Sequence, residues 1–255
     1  MFFKLLICFL ASIGAGIGTG FAGMSAAVII TPMLITFLGM DAYGAIGIAL
    51  AADVLASAVS AITYGKNKKI DIKNSWLMLV AVLVFTILFS WISSLVHHNT
   101  LELFSVATTI IVGLKFLIKP DLSSKTTLSN DSPKKRNVLI IVCGAIVGSI
   151  CGFAGAGGGM MMLILLTTVL KYELKTAVGT SVFIMTFTAL VGSFSHFVVD
   201  GAPDWFCLVC CMIFTLIFAR ISAVIANKVN PKVLNITLGI ILLLLSIVVI
   251  IFQCI

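Results

Sequence analysis

One acidic side chain stands within a long apolar segment and is a candidate for proton chemistry. Asp53 lies near the middle of the segment 42–65. Within a membrane a carboxyl group is costly and marks a functional site by default, and it can bind and release a proton. We therefore predict a proton-coupling role for Asp53. The alternative is a protonated carboxyl group that only binds a neighbouring helix.

Two glycine-rich motifs lie 132 residues apart, as the step from Gly20 to Gly152 shows. Glycine lets a helix break and lets the backbone approach a ligand closely. A helix that restarts after such a break directs free N–H groups and the positive end of its dipole inward, which suits an anion. The motifs therefore predict a substrate site lined by Gly20, Gly23, Ser25, Gly152, Gly155, Gly157, Gly158 and Gly159. The alternative is close helix packing, which we predict for Gly16, Gly144 and Gly148.

Four further polar residues lie in apolar segments and are candidates for the same site. Thr180 and Ser181 follow Gly179 and can supply hydroxyl groups, although ordinary bonds between helices are an equal alternative. His196 is a candidate for substrate binding or for interfacial anchoring. Arg220 can meet an anion in a cavity; the alternative is that it extends to the membrane surface.

The seven cysteines all lie in apolar stretches, which is typical of small buried residues that stay reduced. Cys207 and Cys210 have the spacing of a redox motif, so a transmembrane thiol-redox protein is an alternative function. The sequence contains neither a zinc-protease motif nor a phosphate-binding loop. We therefore predict no enzyme activity, no metal site and no cofactor.

The composition is that of a membrane protein. Hydrophobic residues make up 61% of the chain and charged residues 10%, whereas soluble domains average about 25% charged. The net charge of +7 fits basic loops on the cytoplasmic side and attraction to anionic lipid. It requires no nucleic-acid partner; a homo-oligomer is an open alternative.

The lengths of the apolar stretches predict an all-α polytopic membrane protein. A spanning helix needs about 20 residues, which fits 42–65, 75–96, 101–118, 176–199, 205–228 and 233–254. The uncharged stretches 5–40 and 137–170 are too long for one helix, and each has a glycine motif in its middle. We predict a glycine-broken helical hairpin in each, either tilted or partly re-entrant. The chain is then a first membrane repeat (1–119), a cytoplasmic linker (120–136) and a second membrane repeat (137–255), with 8–10 membrane segments.

The basic residues predict the orientation of these segments. If the basic loop 66–73 is cytoplasmic, the linker 120–136 is cytoplasmic too and both termini lie outside. The loop that corresponds to 66–73 in the second half, Asp200 to Asp204, is acidic and falls outside. The two halves therefore have opposite predicted orientations. Such inverted repeats support alternating access around a site at mid-membrane.

The paired motifs resemble those of the TauE/SafE family of sulfite and organosulfonate exporters. The resemblance rests on Gly20-Phe-Ala-Gly23, on Gly152-Phe-Ala-Gly155-Ala-Gly-Gly-Gly159, on Pro32 after the first motif and on Ala177-Val-Gly-Thr-Ser181 after the second, and it covers nearly the whole chain. The first motif departs from the family, with Met24-Ser25-Ala26-Ala27 where a glycine run is commoner. The resemblance implies a carrier of small sulfur-containing anions in a bacterial inner membrane, coupled to protons.

These observations predict a secondary transporter that exports a small anion such as sulfite or an organosulfonate by alternating access. An anion channel built on the same repeats is a further alternative.

Overall fold

A computed structural model of the chain describes residues 1–93, 133–154 and 158–229, together with the single positions 114, 236, 240, 243 and 247. The described residues form eight α-helices and no strand, so the all-α prediction is confirmed. Apart from those single positions, the predicted spans 101–118 and 233–254 lie outside the described residues, as does most of the linker 120–136.

The helices fall into two sets of four that repeat along the chain. The first set is α1 (Phe2–Ala22), α2 (Ala27–Leu38), α3 (Ala42–Lys66) and α4 (Ile72–Ser93), and the second is α5 (Pro133–Ala154), α6 (Gly158–Thr168), α7 (Leu174–Asp200) and α8 (Trp205–Ala226). Each helix of the second set begins and ends 132 positions after its counterpart in the first set, to within two residues. The helices thus repeat with the same offset as the glycine motifs.

Four of these helices are long and apolar enough to cross a membrane: α1, α3, α7 and α8. The apolar parts of α4 and α5 are shorter, at Ser75–Phe89 and Arg136–Gly152. Large apolar side chains on α4 and α8, among them Trp76 and Trp205, are exposed. Such faces suit contact with lipid, which supports a multi-pass membrane protein.

Each predicted glycine-broken hairpin has one long arm and one short arm. The long arms are α1 and α5, with 21 and 22 residues, and the short arms are α2 and α6, with 12 and 11 residues. At 1.5 Å per residue the short arms extend about 17–18 Å, less than the hydrocarbon core of about 30 Å. Neither short arm is therefore long enough to cross the hydrocarbon core by itself.

The helices of the two sets pack against each other in a reciprocal way. α1 lies along α8, and its counterpart α5 lies along α4. Glycines allow both contacts: a Cβ atom on Gly16 would lie 2.6 Å from the Phe218 Cβ, and one on Gly148 would lie 2.5 Å from the Val82 carbonyl oxygen. Gly144 likewise faces Ala81. The packing role predicted for Gly16, Gly144 and Gly148 is confirmed.

The counterparts α3 and α7 pack against each other along the centre of the bundle and run antiparallel. Gly47, near the start of α3, faces Phe197 near the end of α7, and Gly179, near the start of α7, faces Tyr64 near the end of α3. Inverted repeats require this opposite course of equivalent helices. The side of the membrane on which each end lies stays a prediction.

Candidate functional site

The two glycine breaks meet at one serine of α7. Ser181 Oγ lies 3.2 Å from the carbonyl oxygen of Gly23 and 3.2 Å from that of Gly159. The breaks also touch each other, since a Cβ atom on Gly159 would lie 2.5 Å from the Gly23 oxygen. Residues far apart in sequence therefore form one site between the two sets of helices.

Gly23 ends α1 in a conformation that favours glycine. Its φ is +61°, and its amide caps the last turn of α1. L-residues with a Cβ atom avoid this left-handed region. The chain turns here and starts α2 at Ala27, where the amide of Ala27 donates to Ser25 Oγ over 3.3 Å. Ser25 thus satisfies one of the free amides at the start of α2.

Asp53 on α3 faces the start of α2. Ser25 Oγ donates to Asp53 Oδ2 over 2.7 Å, and only 1% of the Asp53 surface is exposed. The other carboxyl oxygen, Oδ1, is buried and has no hydrogen-bond partner among the described residues. An acidic side chain of the protein therefore occupies the end of α2 at which an anion was predicted.

A small cavity adjoins Asp53. Its volume is about 10 Å³, roughly the space that one water molecule needs. Its lining comes from α3, α5, α6 and α7 and from the break before α2: Ser25, Leu50, Asp53, Val147, Cys151, Gly158, Gly159, Met162, Met185, Thr188 and Ala189. A sulfite-sized anion would need the long side chains of Met162 and Met185 to move, which methionine rotamers allow.

Among the described residues, no basic side chain lines this cavity. The charged groups of the surrounding described helices lie elsewhere. Lys4 binds Asp204 at 2.9 Å, Lys175 donates to the Asn227 carbonyl oxygen at 2.7 Å, and Arg220 is exposed on α8. Within the described part of the chain, the positive charge available at the cavity is therefore the partial charge at the starts of α2 and α6.

The structure brings some of the predicted site residues together. Ser25, Asp53, Gly158 and Gly159 line the cavity, while Gly23 and Ser181 adjoin it. Gly152 is buried in the last turn of α5. Gly155 and Gly157 lie outside the described residues.

The other predicted site residues lie away from the cavity. A Cβ atom on Gly20 would lie 1.9 Å from Ser222 Oγ, so Gly20 packs against α8. Thr180 Oγ1 accepts from the Asp71 amide at 3.2 Å. His196 is buried, with its ring centroid 4.0 Å from that of Tyr43. Arg220 is exposed, which fits the alternative in which it extends to the membrane surface.

Several cavity residues were not predicted, and one of them carried a signal in the sequence. Met185 lies 132 positions after Asp53, so the two equivalent positions of the repeats face the same cavity. Thr188, Cys151 and Met162 had no such signal. Thr188 adds a hydroxyl group on the α7 side.

The thiols proposed for redox chemistry lie at the contact between α1 and α8. Cys207 and Cys211 are buried beside Cys8 of α1, whereas Cys210 is half-buried. All of them are free cysteines. None of them lines the cavity at Asp53.

Contacts between the repeats pack one end of the bundle. The Tyr172 hydroxyl group donates to Asp71 Oδ2 over 2.9 Å, and Lys69 pairs with Glu173 at 3.2 Å. Burial, and secondarily the bond to Asp71, raises the pKa of Tyr172 to about 12, so the phenol stays a donor at neutral pH. The opposite end is packed by Tyr43 against His196.

Comparison with known proteins identifies the family. The family model described as "Sulfite exporter TauE/SafE" matches residues 8–249. The probable membrane transporter protein YunE of Bacillus subtilis (strain 168) is 22% identical over 252 residues, which cover 91% of this chain and 92% of that protein. The probable membrane transporter protein YdhB of the same organism is 38% identical over 60 residues, 24% of each chain. No solved structure matches the chain significantly.

Proposed function

Because the chain belongs to the sulfite exporter TauE/SafE family and is a multi-pass membrane transporter, we propose that it carries a small anion, such as sulfite or an organosulfonate, across the bacterial inner membrane. Export is the direction that the family description names. The linker 120–136 would lie in the cytoplasm and both termini outside.

One observation carries this proposal: both glycine breaks and a buried carboxyl group converge on a single cavity between the two repeats. Broken helices that meet between repeats are typical of the substrate sites of secondary transporters. Gly158 and Gly159, at the start of α6, line the cavity, and amides at the start of a helix suit an oxyanion. Alternating access would loosen first one packed end of the bundle and then the other.

The proposal is tested by counterflow in proteoliposomes. Vesicles loaded with an unlabelled sulfonate should take up labelled sulfonate transiently, and the rate should saturate with concentration. Sulfite should compete, whereas a carboxylate of similar size should compete less. A rate that rises linearly with concentration, without counterflow, would instead indicate the channel alternative.

A matched pair of glycine variants ties the flux to the site. Gly159→Ala places a Cβ atom 2.5 Å from the Gly23 oxygen and 2.3 Å from Met185 Sδ, whereas in Gly65→Ala the nearest atom is Ile70 Cδ1 at 3.5 Å. We expect Gly159→Ala to reduce counterflow at least tenfold and Gly65→Ala to leave it unchanged. Replacing Cys207 and Cys210 by serine should leave the flux intact; its loss would favour the thiol-redox alternative.

A further inference from the structure

The cavity poses a problem of charge for an anion carrier. An ionised Asp53 would repel an anion that binds beside it, and no basic side chain of the described residues lines the cavity to offset that repulsion. Of the described lining residues, Cys151 of α5 is the only other one with a titratable side chain, and it is neutral in its thiol form. On the neighbouring helices, His196 packs on Tyr43, Lys4 binds Asp204 and Arg220 is exposed. The described surroundings thus supply no full positive charge to Asp53.

The hydrogen bonds around Asp53 distinguish its two oxygens. Ser25 Oγ accepts from the Ala27 amide and donates to Asp53 Oδ2, so Oδ2 serves as an acceptor. The buried Oδ1 has no partner among the described residues, and Asp53 lines the cavity. A proton on Oδ1 would remove the negative charge and place a donor where an oxyanion can accept it.

We propose that the protein moves its anion and one proton together, with the proton held on Asp53 Oδ1 and a monovalent oxyanion bound beside it in the same cavity. The carboxylate takes up a proton, the resulting acid donates to the anion, and both leave on the same side. This inference rests on the proposed function. Because the pair is uncharged, the membrane potential does not drive its movement. Export follows when the product of the anion and proton concentrations is higher inside the cell than outside.

The test is the accumulation of methanesulfonate, a monovalent anion that does not titrate near neutral pH, in sodium-free proteoliposomes. With the potential clamped at zero, a pH difference of one unit should accumulate the anion about tenfold on the alkaline side, the ratio of proton concentrations across the membrane. A potential of 100 mV at equal pH should give no accumulation. Accumulation driven by potential alone, or only when sodium is added, overturns the inference.

The Asp53→Asn variant should reverse this pattern. An amide is neutral and keeps an N–H donor, so the anion would bind without a proton and carry its charge. We expect no response to the pH gradient and about 50-fold accumulation at 100 mV, the ratio set by about 2.3 kcal/mol per charge. The matched control, Glu173→Gln, alters an exposed carboxyl group far from the cavity and should keep the tenfold ratio.

The outcomes separate the two proposals. Flux of methanesulfonate that follows the potential in the unaltered protein overturns the paired movement and leaves anion transport standing. Absence of flux for every anion, from protein that elutes as a single species, overturns the anion proposal and the paired movement with it.

Discussion

Gly23 shows at the scale of one residue why the chain breaks where it does. Its left-handed backbone ends α1, and its carbonyl oxygen lies against Ser181. Gly39 ends α2 with the same φ of +61°, yet a Cβ atom there would meet nothing within 4 Å, whereas one on Gly23 would lie 3.2 Å from the Val178 oxygen. Two glycines with one backbone conformation thus differ only in their surroundings.

This difference makes a prediction about two alanine variants. Backbone strain should lower the free energy of unfolding by about 1–2 kcal/mol in both Gly23→Ala and Gly39→Ala. In Gly23→Ala the free energy of unfolding should fall by about 1 kcal/mol more, because the new Cβ atom crowds α7. This variant should also lose transport activity. Thermal unfolding in detergent and counterflow measure the two effects. Equal unfolding temperatures and equal transport in the two variants would contradict the close approach at Gly23.

At the scale of one helix, Asp204 fixes the start of α8. Its Oδ1 accepts from the amides of Phe206 and Cys207 at 3.1 and 3.2 Å, and its Oδ2 accepts from Lys4 at 2.9 Å. The hydrogen bond from Lys4 lowers the pKa of Asp204. One side chain therefore caps α8 and ties it to the start of α1.

Two substitutions separate these roles. Asp204→Ala should cost about 1 kcal/mol through loss of the cap, whereas Asp204→Asn keeps a cap and loses only the ion pair, which is weak because both groups are partly exposed. Because the pKa of Asp204 is lower in the folded protein, the Lys4–Asp204 pair stabilises the fold fully at pH values above the unfolded pKa of about 3.9. This stabilisation is lost as the pH falls through the pKa of Asp204 in the folded protein.

The measurement is thermal unfolding at pH 6 and pH 3. From pH 6 to pH 3 the unaltered protein should lose slightly more stability than Asp204→Asn, because that variant has no carboxyl group to titrate at this position. An equal loss in both would show that the Lys4 pair contributes nothing to the pH dependence.

At the scale of the whole molecule, the two sets of helices form one bundle whose centre is the antiparallel pair α3 and α7. The reciprocal contacts, α1 with α8 and α5 with α4, place each long hairpin arm against the last described helix of the other set. The cavity lies between α3 and α7, and α5, α6 and the break before α2 complete its lining. A carrier can then close one end as it opens the other.

Opposite orientation of the repeats predicts that equivalent loops lie on opposite sides of the membrane. Lys68, between α3 and α4, and Ala202, between α7 and α8, are both exposed. In Lys68→Cys, a membrane-impermeant maleimide should react from the cytoplasmic side only, and in Ala202→Cys from the outside only. The unaltered protein, with its native cysteines, gives the background. If both variants reacted only from the same side of the membrane, inverted repeats would be excluded.

The sequence by itself determined the parts of this protein that depend on neighbours along the chain. Long uncharged stretches must form helices in a bilayer, because only internal hydrogen bonds satisfy the backbone there. Glycines in the middle of two overlong stretches predicted the breaks, and the break after Gly23 is where the structure has it. The repeat followed from the constant offset of 132 residues.

Only the tertiary structure decided which residues meet. Gly20 and Gly23 belong to one motif, but Gly20 lies within α1 and packs on α8, whereas Gly23 ends α1 with φ +61° and adjoins the cavity. Successive residues on a helix face different directions, so Ser181, and not its neighbour Thr180, joins the two breaks. That Asp53 occupies the start of α2 depends on how α3 packs. Contacts between residues far apart in sequence leave no mark in local hydropathy, and the site is built from such contacts.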